Sequence, residues 1–229
     1  MIDKLHSLRR TTAAAVAIFV VPAAPVHAGA LPAPSVEYSA DRTIQSEAGT
    51  FTGKIFVAHD KERSETQMGA MNSVVILRRD LQRGWLLMPA QHSYQTLDLA
   101  HARQQSGAAD GDQVDIDRIG PDTAGGYPAT RYRLQMRDGS ASGLMWLTAE
   151  GIPVKMETTR SEHGHGRGPT HMTVTLGNLH IAVQDPQLFE VPEGYHALPA
   201  PGQGLLGKLG GFGGGAKGFL SQLSGAAGR

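Results

Sequence analysis

No cysteine occurs among the 229 residues. No disulfide staples the folded chain, so its stability must come from its core. Nor can a lipid be attached through a lipobox cysteine, so a processed form is expected to be untethered. An excess of one charge is missing as well, because 21 Lys and Arg face 21 Asp and Glu. Without a basic surplus there is no electrostatic case for a nucleic-acid partner. A membrane span needs about 20 apolar residues. The best candidate, Ala13 to Val26, is shorter and is interrupted by Pro22 and Pro25. Motifs that carry chemistry are absent too. There is no Gly-x-Ser-x-Gly nucleophile elbow. Its nearest approach, Gly139-Ser140-Ala141-Ser142-Gly143, has Ala141 at the centre and reads as a hairpin loop. No phosphate-cradling glycine loop precedes a helix, and no internal repeat is visible. Nothing in these patterns supports an enzyme.

What is present begins with Lys4, Arg9 and Arg10 ahead of an uncharged apolar stretch. That is the pattern of a secretory signal, and Val26-His27-Ala28 sets the expected cleavage after Ala28. Thr11 and Thr12 follow the Arg9-Arg10 pair, where a twin-arginine signal would turn apolar. Residues 1–28 are read as a signal peptide, 29–34 as an Ala/Pro linker and 35–198 as one folded domain. Residues 199–229 are read as a Gly-rich disordered tail. Loss of Asp3, Lys4, Arg9 and Arg10 with the signal leaves 18 basic and 20 acidic side chains, still near neutrality. Leu205, Leu206, Leu209, Phe212, Phe219, Leu220 and Leu223 make the tail faintly amphipathic. Each glycine costs a helix about 1 kcal/mol, so disorder is the better expectation there. The expected location is the periplasm or the medium, with no transmembrane segment in the processed chain.

Within the domain the signals are mostly strands. Val36 to Ile44 and Thr50 to Ala58 read as two. Val74-Val75-Ile76-Leu77 is a continuous apolar run, as in a strand covered on both faces. Trp85 to Met88 follows, then Tyr94. Val114 and Ile116 oppose Asp115 and Asp117 across a further strand. Thr130, Tyr132, Leu134 and Met136 alternate with Arg131, Arg133, Gln135 and Arg137. Gly143 to Thr148 and Ile152 to Glu157 form a hairpin whose turn, Ala149-Glu150-Gly151, places glycine where φ is positive. Met172 to Leu176 and Leu179 to Val183 complete the set. Helix signals are few: Leu97 to Gln105, and one turn at Asp185-Pro186-Gln187-Leu188-Phe189 capped by Asp185. Strands in sequence joined by short turns predict a mainly β, meandering antiparallel sheet.

The order of certain pieces is similar to a known pattern. Tyr38 comes first, then Gly53-Lys54-Ile55, then a charged strand with Arg63 and Glu65. Val75-Ile76-Leu77-Arg78-Arg79-Asp80 and Trp85-Leu86-Leu87-Met88-Pro89 follow. After them come Gly126-Tyr127-Pro128-Ala129-Thr130-Arg131-Tyr132 and the Trp146 hairpin. The last is Phe189-Glu190-Val191-Pro192-Glu193-Gly194-Tyr195. From about Val36 to Tyr195 the chain resembles an uncharacterised secreted bacterial domain family related to LolA- and LolB-like outer-membrane lipoprotein carriers. The resemblance implies a half-barrel: an antiparallel sheet curled around a hydrophobic cavity, with few short helices. It further implies a non-enzymatic envelope domain that binds a lipid or another hydrophobic molecule. An envelope protein or a lipoprotein is the implied partner. The lid helices and lock residues of those carriers match no named position here.

Twelve residues are the candidate lining of such a cavity: Tyr38, Ile55, Val57, Ile76, Trp85, Leu87, Tyr132, Leu134, Met136, Trp146, Val154 and Met156. Val74, Val174 and Leu176 extend the same set. An apolar cleft of this kind suits an acyl chain, and methionine makes its wall adaptable. The same residues equally describe a filled core, in which case the protein acts through its surface and tail. A third reading uses the histidines of Glu162 to His171 as metal ligands. Their spacing is irregular and glycines hold no fixed geometry, so an exposed loop with weak metal binding is expected. Asp110, Asp112, Asp115, Asp117 and Asp122 lack the rest of a calcium loop. No cofactor is expected.

Overall fold

The computed structural model describes residues 31–69, 71–100, 114–161 and 170–198. The segments read as signal and tail, and most of the histidine cluster, lie outside these. The described residues form β1 (Tyr38–Ser46), β2 (Gly49–Ala58), β3 (Lys61–Met68), β4 (Met71–Arg78), β5 (Arg83–Met88) and β6 (Ser93–Asp98). After them come β7 (Val114–Ala124), β8 (Tyr127–Met136), β9 (Ala141–Leu147), β10 (Pro153–Arg160), β11 (Thr170–Ile181) and β12 (His196–Ala197). All belong to one sheet, ordered β12-β6-β5-β4-β3-β2-β1-β11-β10-β9-β8-β7. Two antiparallel meanders, β1–β6 and β7–β11, are thus fused where β11 pairs with β1. The sheet is curled and does not close. This is the half-barrel that the resemblance implies.

Directly opposed residues of an antiparallel ladder share a face. The registers put Tyr38, Ala40, Arg42 and Ile44 on one face with Ile55, Val57, Val174 and Leu176. Met156, Met145, Leu147, Tyr132, Leu134, Met136, Val114 and Ile116 continue that face to the β7 edge. It is the inner face, and most of these side chains are buried. The opposite face presents exposed Lys54, Asp115, Arg133 and Gln135.

Curvature comes from missing side chains and extra residues. Gly53 and Gly143 both belong to the inner face. A Cβ at Gly53 would overlap the Glu65 carbonyl oxygen, and one at Gly143 would overlap that of Glu157. Only a bare Cα lets neighbouring backbones close in so far. Register shifts at Ser39/Asp41, Arg118/Gly120 and Pro153/Lys155 add bends.

Apolar side chains form three clusters. The first joins Leu31, Val114, Leu134, Met136, Met145, Leu147, Met156 and Val174. The second holds Tyr38, Ala40, Ile55, Val57, Ala124, Ala129, Trp146, Ile152, Val154 and Leu176. The third lies on the outer face of β4–β6, where Val74, Ile76, Leu87, Trp85 and Tyr94 are covered by Leu188, Phe189 and Tyr195. Its cover is built as its sequence dictates. Asp185 Oδ1 accepts from the Gln187 amide at 2.9 Å, Pro186 takes the first position and Phe189 is only 1% exposed. The chain then runs parallel to β6 as β12.

Some expectations are revised. Leu97 and Asp98 end β6, and helix begins at Leu99, with residues 101–113 outside the description. Alternation carries the strand two residues past the expected helix start. Ala141 and Ser142, expected in a loop, open β9. Leu31, in the expected linker, is 5% exposed within the first cluster. The neighbouring Ala33 carbonyl lies over Gly151, whose φ is +80° and where a Cβ would meet it at 2.7 Å. Gly151 is therefore fixed both by the turn and by the crossing chain.

Candidate functional site

Most of the candidate lining residues stand on the inner wall. Its floor is the first cluster, with Leu134 at 0% and Met145 at 2% exposure. Around that floor stand the half-buried Ile44, Ile116, Tyr132, Ala141 and Met172. Four strands deliver four methionines to this wall: Met136, Met145, Met156 and Met172.

The twelve candidate lining residues divide between places. Tyr132, Leu134, Met136 and Met156 meet in or against the first cluster. Tyr38, Ile55, Val57, Trp146 and Val154 meet in the second. Ile76, Trp85 and Leu87 lie on the outer face in the third, beneath Phe189. Periodicity could not separate them, because Val74 and Ile76 face outward and Val75, also buried, faces inward. Both faces of β4 are apolar, so alternation no longer marks the inner one. Trp146 opposes Arg131 and Lys155, which places it on the outer face too. Its alternating neighbours Met145 and Leu147 are the inward ones. These two, with Ile44, Ile116 and Met172, were missing from the candidate set. For Met145 and Leu147 the signal was present as the opposite parity of the Trp146 hairpin.

Part of the inner face is polar. Arg42, 8% exposed, donates from Nη2 to Thr66 Oγ1 at 3.0 Å. Burial lowers its pKa, with Glu62 and Tyr38 opposing, yet a guanidinium stays charged at any ordinary pH. Burial also pushes the Tyr38 hydroxyl up, helped by Glu62 and opposed by Arg79 and Arg42, so Tyr38 remains neutral. Glu62 is itself paired with Arg79 at 2.9 Å. This polar corner lies toward β3, away from the methionine-rich floor.

On the outer face, Trp146 Nε1 donates to Asp122 Oδ2 at 2.9 Å while Lys155 Nζ sits 4.7 Å from the ring centroid. The indole hydrogen bond holds the Asp122 carboxyl below its usual range, aided by the Thr123 amide and Arg131. Arg131 also pairs with Asp122 at 3.2 Å. Asp122 is thus a structural acceptor, while Asp110 and Asp112 lie outside the described residues. Farther along the same face, an open groove of about 750 Å³ crosses β1–β4 and is bounded by Pro89 and Tyr195. Among the described residues no group of His, Asp and Glu has metal-holding geometry. His171 is the described member of the histidine cluster. Its Nδ1 lies 3.0 Å from Thr159 Oγ1, and its amide donates to Glu47. No described helix is long and apolar enough to cross a membrane.

Comparison with known proteins adds a family match. Residues 41–152 match the family described as "Domain of unknown function (DUF4412)". No curated protein matches the chain. Among solved structures, MucB of the Pseudomonas aeruginosa MucA/MucB complex is similar at 13% identity and TM-score 0.45, over 69% of this chain and 56% of that one. The chain therefore spans little more than half the length of MucB. An uncharacterised conserved protein from Thermus thermophilus is similar at 12% identity and TM-score 0.49, covering 72% of this chain and 90% of that one. A putative outer membrane lipoprotein-sorting protein domain from Vibrio parahaemolyticus shares 10% identity at TM-score 0.33, over 69% and 91% of the two chains.

Proposed function

We propose that this domain is exported and binds a lipid or another hydrophobic molecule in the cell envelope, on the inner face of its half-barrel. One observation carries the reading: a buried apolar floor is ringed by the partly buried apolar side chains Ile44, Ile116, Tyr132 and Met172. Such a rim leaves apolar surface in water, and an acyl chain laid on it removes that surface at about 25 cal/mol per Å². The four methionines let the wall adapt to ligands of different shape. The role is binding, with no chemical step. The signal-like N-terminus and the lack of cysteine support an untethered protein of the periplasm or the medium.

A second reading keeps the floor as a filled core, with the protein engaging an envelope partner through its surface. The near-zero exposure of Leu134, Met145 and Met156 in that floor favours it. Native mass spectrometry with lipid extraction separates the two, on protein purified without harsh detergent from an exporting bacterium. A stoichiometric lipid establishes the carrier reading. A clean apo mass that stays unchanged after incubation with myristoyl lipids assigns the protein to the filled-core reading.

A further inference from the structure

We propose a separate binding site for a saccharide in the open groove on the outer face of β1–β4. Its floor is one cross-strand row. Thr43 opposes Thr52, Thr52 opposes Gln67, and Gln67 opposes Asn72. All four line the groove. All four are uncharged, and each can both donate and accept. None has a side-chain hydrogen bond to another described residue, although Thr52, Gln67 and Asn72 are exposed. Strands lie about 4.8 Å apart, so the row offers roughly 14 Å of free hydrogen-bonding capacity. The groove, at about 750 Å³, is of ligand-site size.

The chemistry around the row selects the ligand. Its charged neighbours are largely occupied. Arg63 pairs with Glu65 at 2.7 Å, Asp41 accepts from Asn178 at 2.7 Å, and Arg42 is spent on Thr66. Lys54 has no ion pair among the described residues, so an acidic sugar is admitted alongside a neutral one. Val74, Pro89 and Tyr195 form the apolar part of the groove's lining. Tyr195 is held there by packing in the third cluster and by a tilted contact with His92 at 5.7 Å. A sugar ring presents hydroxyls that donate and accept, together with an apolar C–H face. An uncharged hydroxyl-and-amide floor beside an aromatic wall matches both. An acyl chain would leave the four polar groups without partners.

The test is saturation-transfer NMR of the full chain with hexose, N-acetylhexosamine and uronic-acid trisaccharides. An extended Ala/Ser hexapeptide serves as the competing ligand class. At least one trisaccharide is expected to bind, and Gln67→Ala with Asn72→Ala should weaken it about tenfold. Both side chains are exposed, so thermal unfolding should be unchanged. Tyr195→Phe should retain binding because the wall is the ring. Failure of all three sugars, sugar binding indifferent to the double substitution, or binding of the peptide alone would each overturn the proposal. The inner wall is untouched by these variants, so lipid retention reports on the carrier reading independently.

Discussion

Gly53 opposes Arg42 on the inner face, and an added methyl there would overlap the Glu65 carbonyl. Gly53→Ala should force β2 and β3 apart and cost about 3 kcal/mol, the upper part of the overpacking range. Gly177→Ala is the control, since a Cβ there meets nothing within 4 Å. It should change stability by no more than about 0.5 kcal/mol in urea unfolding. A second residue-scale expectation concerns Asp122. Its pKa is depressed in the folded state, first by the Trp146 indole. Its contribution is therefore complete above the unfolded carboxylate pKa and is lost as pH falls through the lower folded value. Acid titration should shift Trp146 fluorescence and lower the melting temperature in that window. In Asp122→Asn the fluorescence change should be missing and the acid loss of melting temperature smaller, because Glu47, Asp80 and Glu150 are depressed as well. A variant whose fluorescence titrates like the parent's would refute the assignment.

The segment Asp185 to Leu198 works as an element. Its turn was legible as Asp-Pro followed by an aromatic, because cap and proline act locally. What it covers was not legible, because Phe189 reaches strands from the first meander, far earlier in the chain. Phe189→Ala should cost about 3–5 kcal/mol. It should also raise hydrogen exchange in β6 and β12, whose pairing is two residues long. Protection at Leu198, which donates to the Tyr94 carbonyl, is the readout. If exchange rises equally in β8 and β9, the segment is not a local cover.

The whole molecule is two meanders welded by the β1–β11 ladder. Leu176 and Val154 share the second cluster with Ile55 and Val57, so the core also crosses the weld. Heat should therefore unfold the described sheet in one transition, with far-UV and near-UV circular dichroism coincident. Two resolved melts would mean that the halves are independent. With no cysteine, the midpoint should be the same with and without dithiothreitol.

The sequence by itself determined what depends on near neighbours. Alternation in Tyr132 to Met136 marked a half-buried strand, Asp138-Gly139 and Ala149-Glu150-Gly151 marked turns, and the order of short strands marked an antiparallel meander. These signals have periods of a few residues, so one chain carries them without reference to its fold. Tertiary structure alone decided which parity faces inward in strands that are apolar on both faces. In Met145-Trp146-Leu147 the larger side chain went outward, because Asp122, Arg131 and Lys155 hold it there. It also decided that Ile76, Trp85 and Leu87 lie beneath Phe189, and that Thr43, Thr52, Gln67 and Asn72 form one row. The β1–β11 and β12–β6 ladders join strands far apart in the chain, and where consecutive hairpins set the register no single strand encodes which of its two faces curls inward.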